Sequence, residues 1–552
     1  MFKIMSGPGG RKLQIFFRKV FEAFRLKVFA YRLVITPSQN LAIKRLRKIM
    51  DNSHIKIKKD PKGKKIIFNC VDARYTGMTN FEGILAKALQ IRGHDVKMLI
   101  CNGLFDLCPG HFTVKKPKNK WRCKNCKNFS NKFLQTIELP YGTYFEYLNN
   151  VNLEEISKKV DNLSVKECEN YVYKNVKVGF HSITSVNRYF MGEKPNKKDY
   201  ERILKIQLKY AIISTDVAEN VIKKEKPDVL VTSHACFSTW GSFAEVFINK
   251  RIPTRVWATG ERNTTVFEQH KSNDYYKGYL EEIRKRKPLN EKEEKELQSF
   301  LEKRTQGKEG QVSMYNFSDV AKEKIVKKFN FDKFDKTYVI YPNVPWDIGL
   351  LKADAVFDSI YSWVKYTIEL FLDKPNLLLI VKVHPSELRV MESKYTVKDY
   401  IDDKFKNLPD NVKIIPPDTS ISPYALFPFI DVGIVYNGTV GLEMAIKGIP
   451  VIAAGNAHYG KKGISYDIKS KKDYEKILFS DLKPKENQEN FAKIYAYFHF
   501  IKKFQPRPYM TNKSFLEIRW NVNSLEDLMP GKDKIIDHLS NYVVKGGIFQ
   551  AW

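Results

Sequence analysis

DVGIVYNGTVGLEMAIKGIPVIAAG, residues 431–455, decides the fold, because a strand, a turn, a helix and a second strand follow one another with the right residue at each junction. The apolar run Val432 to Val435 predicts a buried strand. It enters Tyr436-Asn437-Gly438-Thr439, a small-residue turn, and a helix is expected from Val440 to Lys447. Gly448 ends that helix, and Pro450 leads the next strand, Val451 to Ala454, with Gly455 at its carboxyl end. Unpaired backbone N–H groups and the positive end of a helix dipole meet at such a turn, which suits a phosphate or diphosphate. Read more plainly, the stretch is a βαβ packing unit in which Gly438 and Gly441 only let helix and strand approach. Glu443 favours the first reading. A carboxylate in an otherwise apolar helix beside such a turn can accept both hydroxyls of a ribose, where packing alone would prefer an apolar residue.

Two further segments extend this unit. Tyr338-Val339-Ile340-Tyr341 reads as a buried strand delivering Pro342-Asn343-Val344-Pro345-Trp346-Asp347, and Leu377 to Val383 as another delivering His384-Pro385. Parallel strands joined by right-handed crossovers put their carboxyl ends on one edge of the sheet. The Asn343 loop, His384 and the Gly438 turn are therefore expected side by side. Neither His384 nor Glu443 is expected to carry the core.

Glu443-x4-Gly448-x-Pro450 resembles the nucleotide-sugar-binding end of the glycosyltransferase-B fold. More narrowly, NGTVGLEMAIKGIPVIAAGNAHYGKKGISYD, with the Asn343 and His384 segments, resembles the capsule and surface-polysaccharide biosynthesis family that includes bacterial Kdo transferases. The likeness covers roughly residues 335 to 470 and does not specify the sugar. It implies an α/β protein of two Rossmann-like domains and a nucleotide-sugar donor, CMP- or UDP-linked, with Glu443 on the ribose. Asn343, Trp346, Asp347, His384, Pro385, Asn437, Gly438 and Thr439 would complete the donor site.

A chain of 552 residues exceeds what one core supports. We expect a basic extension over 1–62, an acceptor domain over 63–330 and a donor domain with a helical tail over 331–552. In the resembling fold such a tail crosses back to the first domain. Lys64 to Val71 is a strand pattern, and Val96 to Cys101, after the Arg92-Gly93-His94 turn, another. This is a Rossmann-like opening without a GxGxxG. Asp72, Arg74 and Glu82 fall on or near its first loop, and Pro227 to His234 and Ile252 to Arg262 bring His234, Glu261 and Arg262 to other strand ends. From these we take His234, Glu261 and Asp72, with His384 in the donor domain, as candidate catalytic groups; a satisfied buried histidine and ordinary loop carboxylates are the plainer reading. Residues 281–310 are charge-dense and read as a solvated helical face near the domain boundary.

Four of the seven cysteines fall between 101 and 126. An odd count argues against a disulfide framework. Cys101, Cys108, Cys123 and Cys126, or three of them with His111, have the spacing of a structural metal site, Zn²⁺ by ligand type, and no cofactor is expected for catalysis. No DxD-type motif accompanies the donor unit, so a metal-independent transfer is expected.

The net charge is +32. Residues 1–65 hold eighteen Lys and Arg against three acidic residues, nearly half of that excess. There Phe17, Val20, Phe21, Phe24, Val28 and Tyr31 recur at helical spacing beside Arg18, Lys19, Arg25 and Arg32. This pattern fits a helix on an anionic membrane surface, or one docked on the protein's own core. No apolar run reaches the roughly 18 residues of a membrane span, and basic residues interrupt any secretory leader. A cytoplasmic protein, peripheral at the inner face of the membrane, is expected.

The function these features suggest is a glycosyltransferase, hexosyl- or Kdo-type, acting on a saccharide or lipid-linked acceptor in surface or capsular polysaccharide biosynthesis. The rivals are a polyol-phosphate transferase of the teichoic-acid type and a non-catalytic protein binding anionic surfaces or nucleic acid. The last leaves Glu443 and His384 unexplained, so no nucleic-acid partner is expected.

Overall fold

The computed structural model of the protein describes residues 27–71, 76–108, 120–191, 195–233, 235–259, 265–269, 288–308, 322–345, 356–388, 393, 395–502, 505–506, 510–514 and 517–547. In chain order the elements that matter for the site are α1 (Lys27–Asp51), β1 (Lys65–Asn69), α2 (Thr76–Ile91), β2 (Asp95–Ile100), α3 (Lys120–Thr136), β3 (Tyr141–Thr143), α4 (Lys197–Glu225), β4 (Val229–Ser233), α5 (Ser242–Asn249), β5 (Thr254–Thr259), β6 (Thr265–Gln269) and α6 (Glu291–Thr305). They continue as β7 (Lys336–Tyr341), α7 (Ile360–Phe371), β8 (Leu377–Lys382), β9 (Val412–Ile415), β10 (Val432–Val435), α8 (Val440–Ile446), β11 (Val451–Ala453), β12 (Tyr466–Asp467), α9 (Gln488–Tyr497), β13 (Gln505–Pro506) and α10 (Lys534–Lys545).

Apolar runs such as Ile66-Ile67-Phe68 and Leu378-Leu379-Ile380-Val381 are buried on both faces, the mark of a covered parallel sheet. Two sheets result. The first has the order β13-β6-β5-β4-β1-β2-β3. Its five strands from β5 to β3 are parallel, and β6 and β13 are antiparallel additions. The second has the order β12-β11-β10-β7-β8-β9 and is parallel throughout. In both, the opening strand lies centrally and the winding reverses beside it, as in a doubly wound Rossmann fold. The α/β fold with two Rossmann-like sheets is thus the architecture expected of the glycosyltransferase-B type.

Each sheet is covered on both faces. On the first, Ile43, Leu46 and Ile49 of α1 pack with Phe81, Ile84 and Leu85 of α2 and with Ile536, Leu539 and Val543 of α10. The carboxyl-terminal helix therefore covers the first sheet, as the resemblance implies. The end of α1 docks on the core; the earlier aromatic stripe, Phe17 to Phe24, lies outside the described residues, as do the side chains of Val28 and Tyr31. Arg92 ties α2 to the tail through the Leu528 carbonyl at 2.8 Å and the Asp537 carboxylate.

The charge-dense stretch before 310 departs from expectation. Helix α6 begins with Asn290 as cap, its side chain accepting the Glu293 N–H, and exposes Lys292, Lys295 and Lys303. Leu297, Phe300 and Arg304, however, are buried, and the first two join the core of the second sheet with Leu289, Ile325 and Phe329. Buried residues at three- and seven-residue spacing form a stripe within a segment whose composition is polar. Helix α6 and the segment 322–329, counted with the first unit from sequence, pack on the second sheet.

Candidate donor site

The strand ends come together as their parallel pairing dictates. Strands β8, β7 and β10 are adjacent, and Asn343, His384 and Asn437 follow their carboxyl ends. The winding reverses between β7 and β10, the place where doubly wound sheets open a crevice for ligands. There the Asn437 N–H donates to Asn343 Oδ1 at 3.3 Å, so the two loops are linked directly. Tyr459, from the loop after β11, donates its hydroxyl to the Gly438 carbonyl at 2.8 Å. Gly441 is required by that contact, since a Cβ there would lie 2.0 Å from the Tyr459 hydroxyl. The helix ends as its sequence demands, with Gly448 in the left-handed region at φ 73°.

His384 is half-buried, and its pKa is lowered to about 4 by burial first and by the Lys382 ammonium second. The ring is neutral at pH 7. The Ser386 N–H donates to Nδ1 at 3.1 Å, so Nε2 carries the ring proton. His384 is thus a neutral hydrogen-bond donor at the carboxyl edge of the sheet. Behind it the Pro385 turn carries Glu387, fully buried, whose Oε2 accepts the Val397 N–H at 2.7 Å. Burial, and then Asp399, push the Glu387 carboxyl up to about 8.

These two groups should make stability depend on pH in opposite senses. A carboxyl whose folded pKa lies above its ordinary 4.5 stabilises the fold below that value and loses the contribution as pH rises through about 8. His384, held near 4 against an ordinary 6.5, costs stability as pH falls between those values. Glu387→Gln, which keeps the carbonyl acceptor for Val397, should flatten the decline in melting temperature between pH 5 and 8. A wild-type slope in that variant would show that Glu387 does not titrate there.

Glu443 is 5% exposed, in the first turns of α8, and its Oε1 accepts the Nε–H of Arg304 from α6. The sequence offered no reason to pair residues 139 positions apart. The expectation that position 443 lies apart from the core is corrected by this pair.

In the first domain, the described candidate at the sheet's carboxyl edge is Glu82. It lies beside Cys70, just past β1, and accepts the Trp257 indole N–H at 3.0 Å. Burial raises its carboxyl to about 7, against the hydrogen bonds from Cys70 and Trp257. After β4 the backbone is strained: Ala235 at φ 26° and Phe237 at φ 69° are non-glycine residues with positive φ, costing of order 1–3 kcal/mol each. A π turn, Phe237–Gly241, then opens α5. Asp72, His234, Glu261, Trp346 and Asp347, with Arg74, His111 and Arg262, lie outside the described residues.

Cys101 and Cys123 approach each other, both thiols pushed up by burial, and Cys123 Sγ would lie 3.1 Å from a Cβ at Gly103. Among the described residues no group of three or more His, Cys, Asp or Glu is placed to hold a metal ion. The CxxC lies inside α3, where a helical backbone holds Cys123 and Cys126 about a turn apart. Among the described residues no helix is long and apolar enough to cross a membrane.

Two doubly wound sheets define the fold as glycosyltransferase-B type. Residues 236–495 match the model of the family described as capsule polysaccharide biosynthesis protein. No curated protein sequence matches the chain. Among solved structures, it is similar to KpsC, a beta Kdo 2,4 transferase of Thermosulfurimonas dismutans, at 15% identity over 57% of this chain and 88% of that one, with a TM-score of 0.34. It is also similar to a UDP-GlcNAc 2-epimerase of Neisseria meningitidis, at 13% over 78% and 97%, TM-score 0.26. The glycosyltransferase SnogD of Streptomyces nogalater gives 10% over 80% and 95%, TM-score 0.22. Likenesses at these scores carry no argument about donor or acceptor.

Proposed function

We propose that the chain is a glycosyltransferase of capsule polysaccharide biosynthesis, moving a sugar from a nucleotide donor onto a saccharide or lipid-linked acceptor. The observation that carries this reading is the alignment of Asn343, His384 and Asn437 on three adjacent parallel strand ends, with a neutral imidazole whose Nε2 bears the proton. In the reaction the bond between the anomeric carbon and the donor phosphate oxygen breaks, and the acceptor oxygen bonds to that carbon. Charge develops on the departing phosphate, where a pre-oriented donor such as His384 Nε2–H acts. The backbone of Asn437 to Thr439 would share that load, and Glu443 would hold the ribose.

The acceptor hydroxyl must lose its proton to a first-domain base. Asp72, His234 and Glu261 keep that assignment as proposals.

The donor reading is tested by thermal stabilisation of the full chain with CMP- and UDP-linked sugars. A ligand at 100 times its Kd adds about 2.7 kcal/mol. Stabilisation by none of them would overturn the reading.

The membrane partner rests on charge. Residues 1–26 carry six Lys and Arg against one Glu. Because Ile43, Leu46 and Ile49 belong to the core, a deletion should stop at residue 26. It is expected to weaken binding to anionic vesicles, by roughly 1 kcal/mol for each basic residue that reached the surface. Equal binding by the truncated chain would assign these residues another role.

A further inference from the structure

We infer that Arg304 is a positioning residue for the donor ribose, acting through Glu443; this rests on the donor reading above.

Helix α6 lies outside both sheets and is charged along its length, yet it buries one of its basic residues. Lys292, Lys295 and Lys303 are exposed, while Arg304 is 6% exposed and falls four residues after the buried Phe300 and seven after Leu297. At that place an apolar side chain would complete the stripe. Replacing a buried ion pair by packed apolar residues is often neutral or stabilising, so stability does not by itself account for a guanidinium there.

Its surroundings show how the charge is held. The Arg304 Nε–H donates to Glu443 Oε1, and the guanidinium sits 5.2 Å from the centroid of the Phe500 ring. Phe500 in turn packs on Phe300 at 5.1 Å, so the aromatic support comes from α6 itself and from the carboxyl-terminal segment. That segment is tied to α6 again by the Tyr497 hydroxyl, which donates to Glu296 at 3.1 Å. A planar guanidinium fixed in this way orients the carboxylate plane as well as its charge.

Two phenols also face this carboxylate, and neither neutralises it. Tyr341 and Tyr459 have their hydroxyl pKa values raised well above 10, by burial first in both; Glu443 adds to the rise at Tyr341, and Asp467 and Glu443 do so at Tyr459. Both stay protonated and donate elsewhere, Tyr341 to the Pro423 carbonyl at 2.9 Å and Tyr459 to the Gly438 carbonyl at 2.8 Å. The second of these bonds joins the Glu443 neighbourhood to the Gly438 turn. An ionised carboxylate has about four acceptor sites, so the single bond from Arg304 Nε–H does not by itself exhaust them. The geometry therefore gives Arg304 one task that packing does not: it presents Glu443 to vicinal hydroxyls in a fixed orientation.

The test measures ribose recognition. The full chain, as wild type, Arg304→Met and Arg304→Lys, is titrated with cytidine and uridine 5′-monophosphates and their 2′-deoxy counterparts. Wild type should prefer a ribonucleotide by about tenfold or more, the size of one hydrogen bond to a charged group. Arg304→Met should lose that preference, and Arg304→Lys, which keeps a charge without the planar fork, should retain only part of it. A purely structural role would instead weaken ribo- and deoxyribonucleotides equally and leave the preference intact. A folded Arg304→Met with the wild-type preference overturns the inference; if that variant does not fold, Arg304→Lys with the full preference overturns it. Wild-type protein that binds none of the four nucleotides overturns the donor reading and this inference with it. Wild-type binding without any ribose preference leaves the donor reading standing and removes Arg304's role.

Discussion

His384→Ala is expected to lower kcat by about 100-fold or more, the loss found when one donor to a developing oxyanion is removed. The size reflects the ring's condition. Burial and Lys382 hold it near pKa 4, and the Ser386 N–H occupies Nδ1, so the Nε2 proton is already in place before charge develops on the leaving phosphate. Because the interaction strengthens in the transition state, kcat and kcat/KM should fall together while donor affinity changes little. The wild-type rate should show no His384 titration between pH 6 and 8, since the ring, with its pKa near 4, is neutral throughout that range. Steady-state kinetics at saturating donor, with circular dichroism to establish folding, check both points. Wild-type turnover in the folded variant would show that His384 does not face the leaving group.

Glu443→Ala is expected to cost about 3–5 kcal/mol of stability, the usual penalty for breaking a buried ion pair from one side. The cost comes from what remains: a guanidinium 6% exposed, its carboxylate partner gone, in a core built of Phe300, Phe500 and their neighbours. Reading Glu443 as a ribose ligand alone would place the whole effect in donor KM. The ion pair adds a large fall in melting temperature. The paired change Arg304→Met with Glu443→Leu should recover most of that stability, because apolar side chains of similar volume replace both charges. It should not recover donor binding. Thermal melting of the single and double variants separates the two contributions, and a Glu443→Ala protein as stable as wild type would show that the pair contributes nothing to the fold.

The legible part of the site was local. The turn from Tyr436 to Thr439, the glycine that ends α8 and the apolar runs of β7, β8 and β10 depend on neighbours a few residues away, and each carries its own residue signature. Parallel pairing then puts Asn343, His384 and Asn437 on one edge almost as a matter of topology. The missed part was long-range. In α6 the buried stripe of Leu297, Phe300 and Arg304 is diluted by glutamates and lysines that face water, so composition reads as a solvated helix. The cysteines are a case of the same kind: their spacing is local, but whether thiols converge depends on how α3 is oriented against the loop after β2.

The sequence alone therefore determined two doubly wound units, the turn chemistry of the second and the residues offered at its ligand edge, because strand periodicity, turn preference and crossover handedness act over short stretches of chain. Only the tertiary structure decided what each side chain at that edge does. It paired Glu443 with Arg304 across 139 residues, set the His384 proton on Nε2, and laid Ile536, Leu539 and Val543 of the tail on the first sheet. These outcomes depend on burial and charge between segments far apart in the chain, which no local pattern of residues encodes.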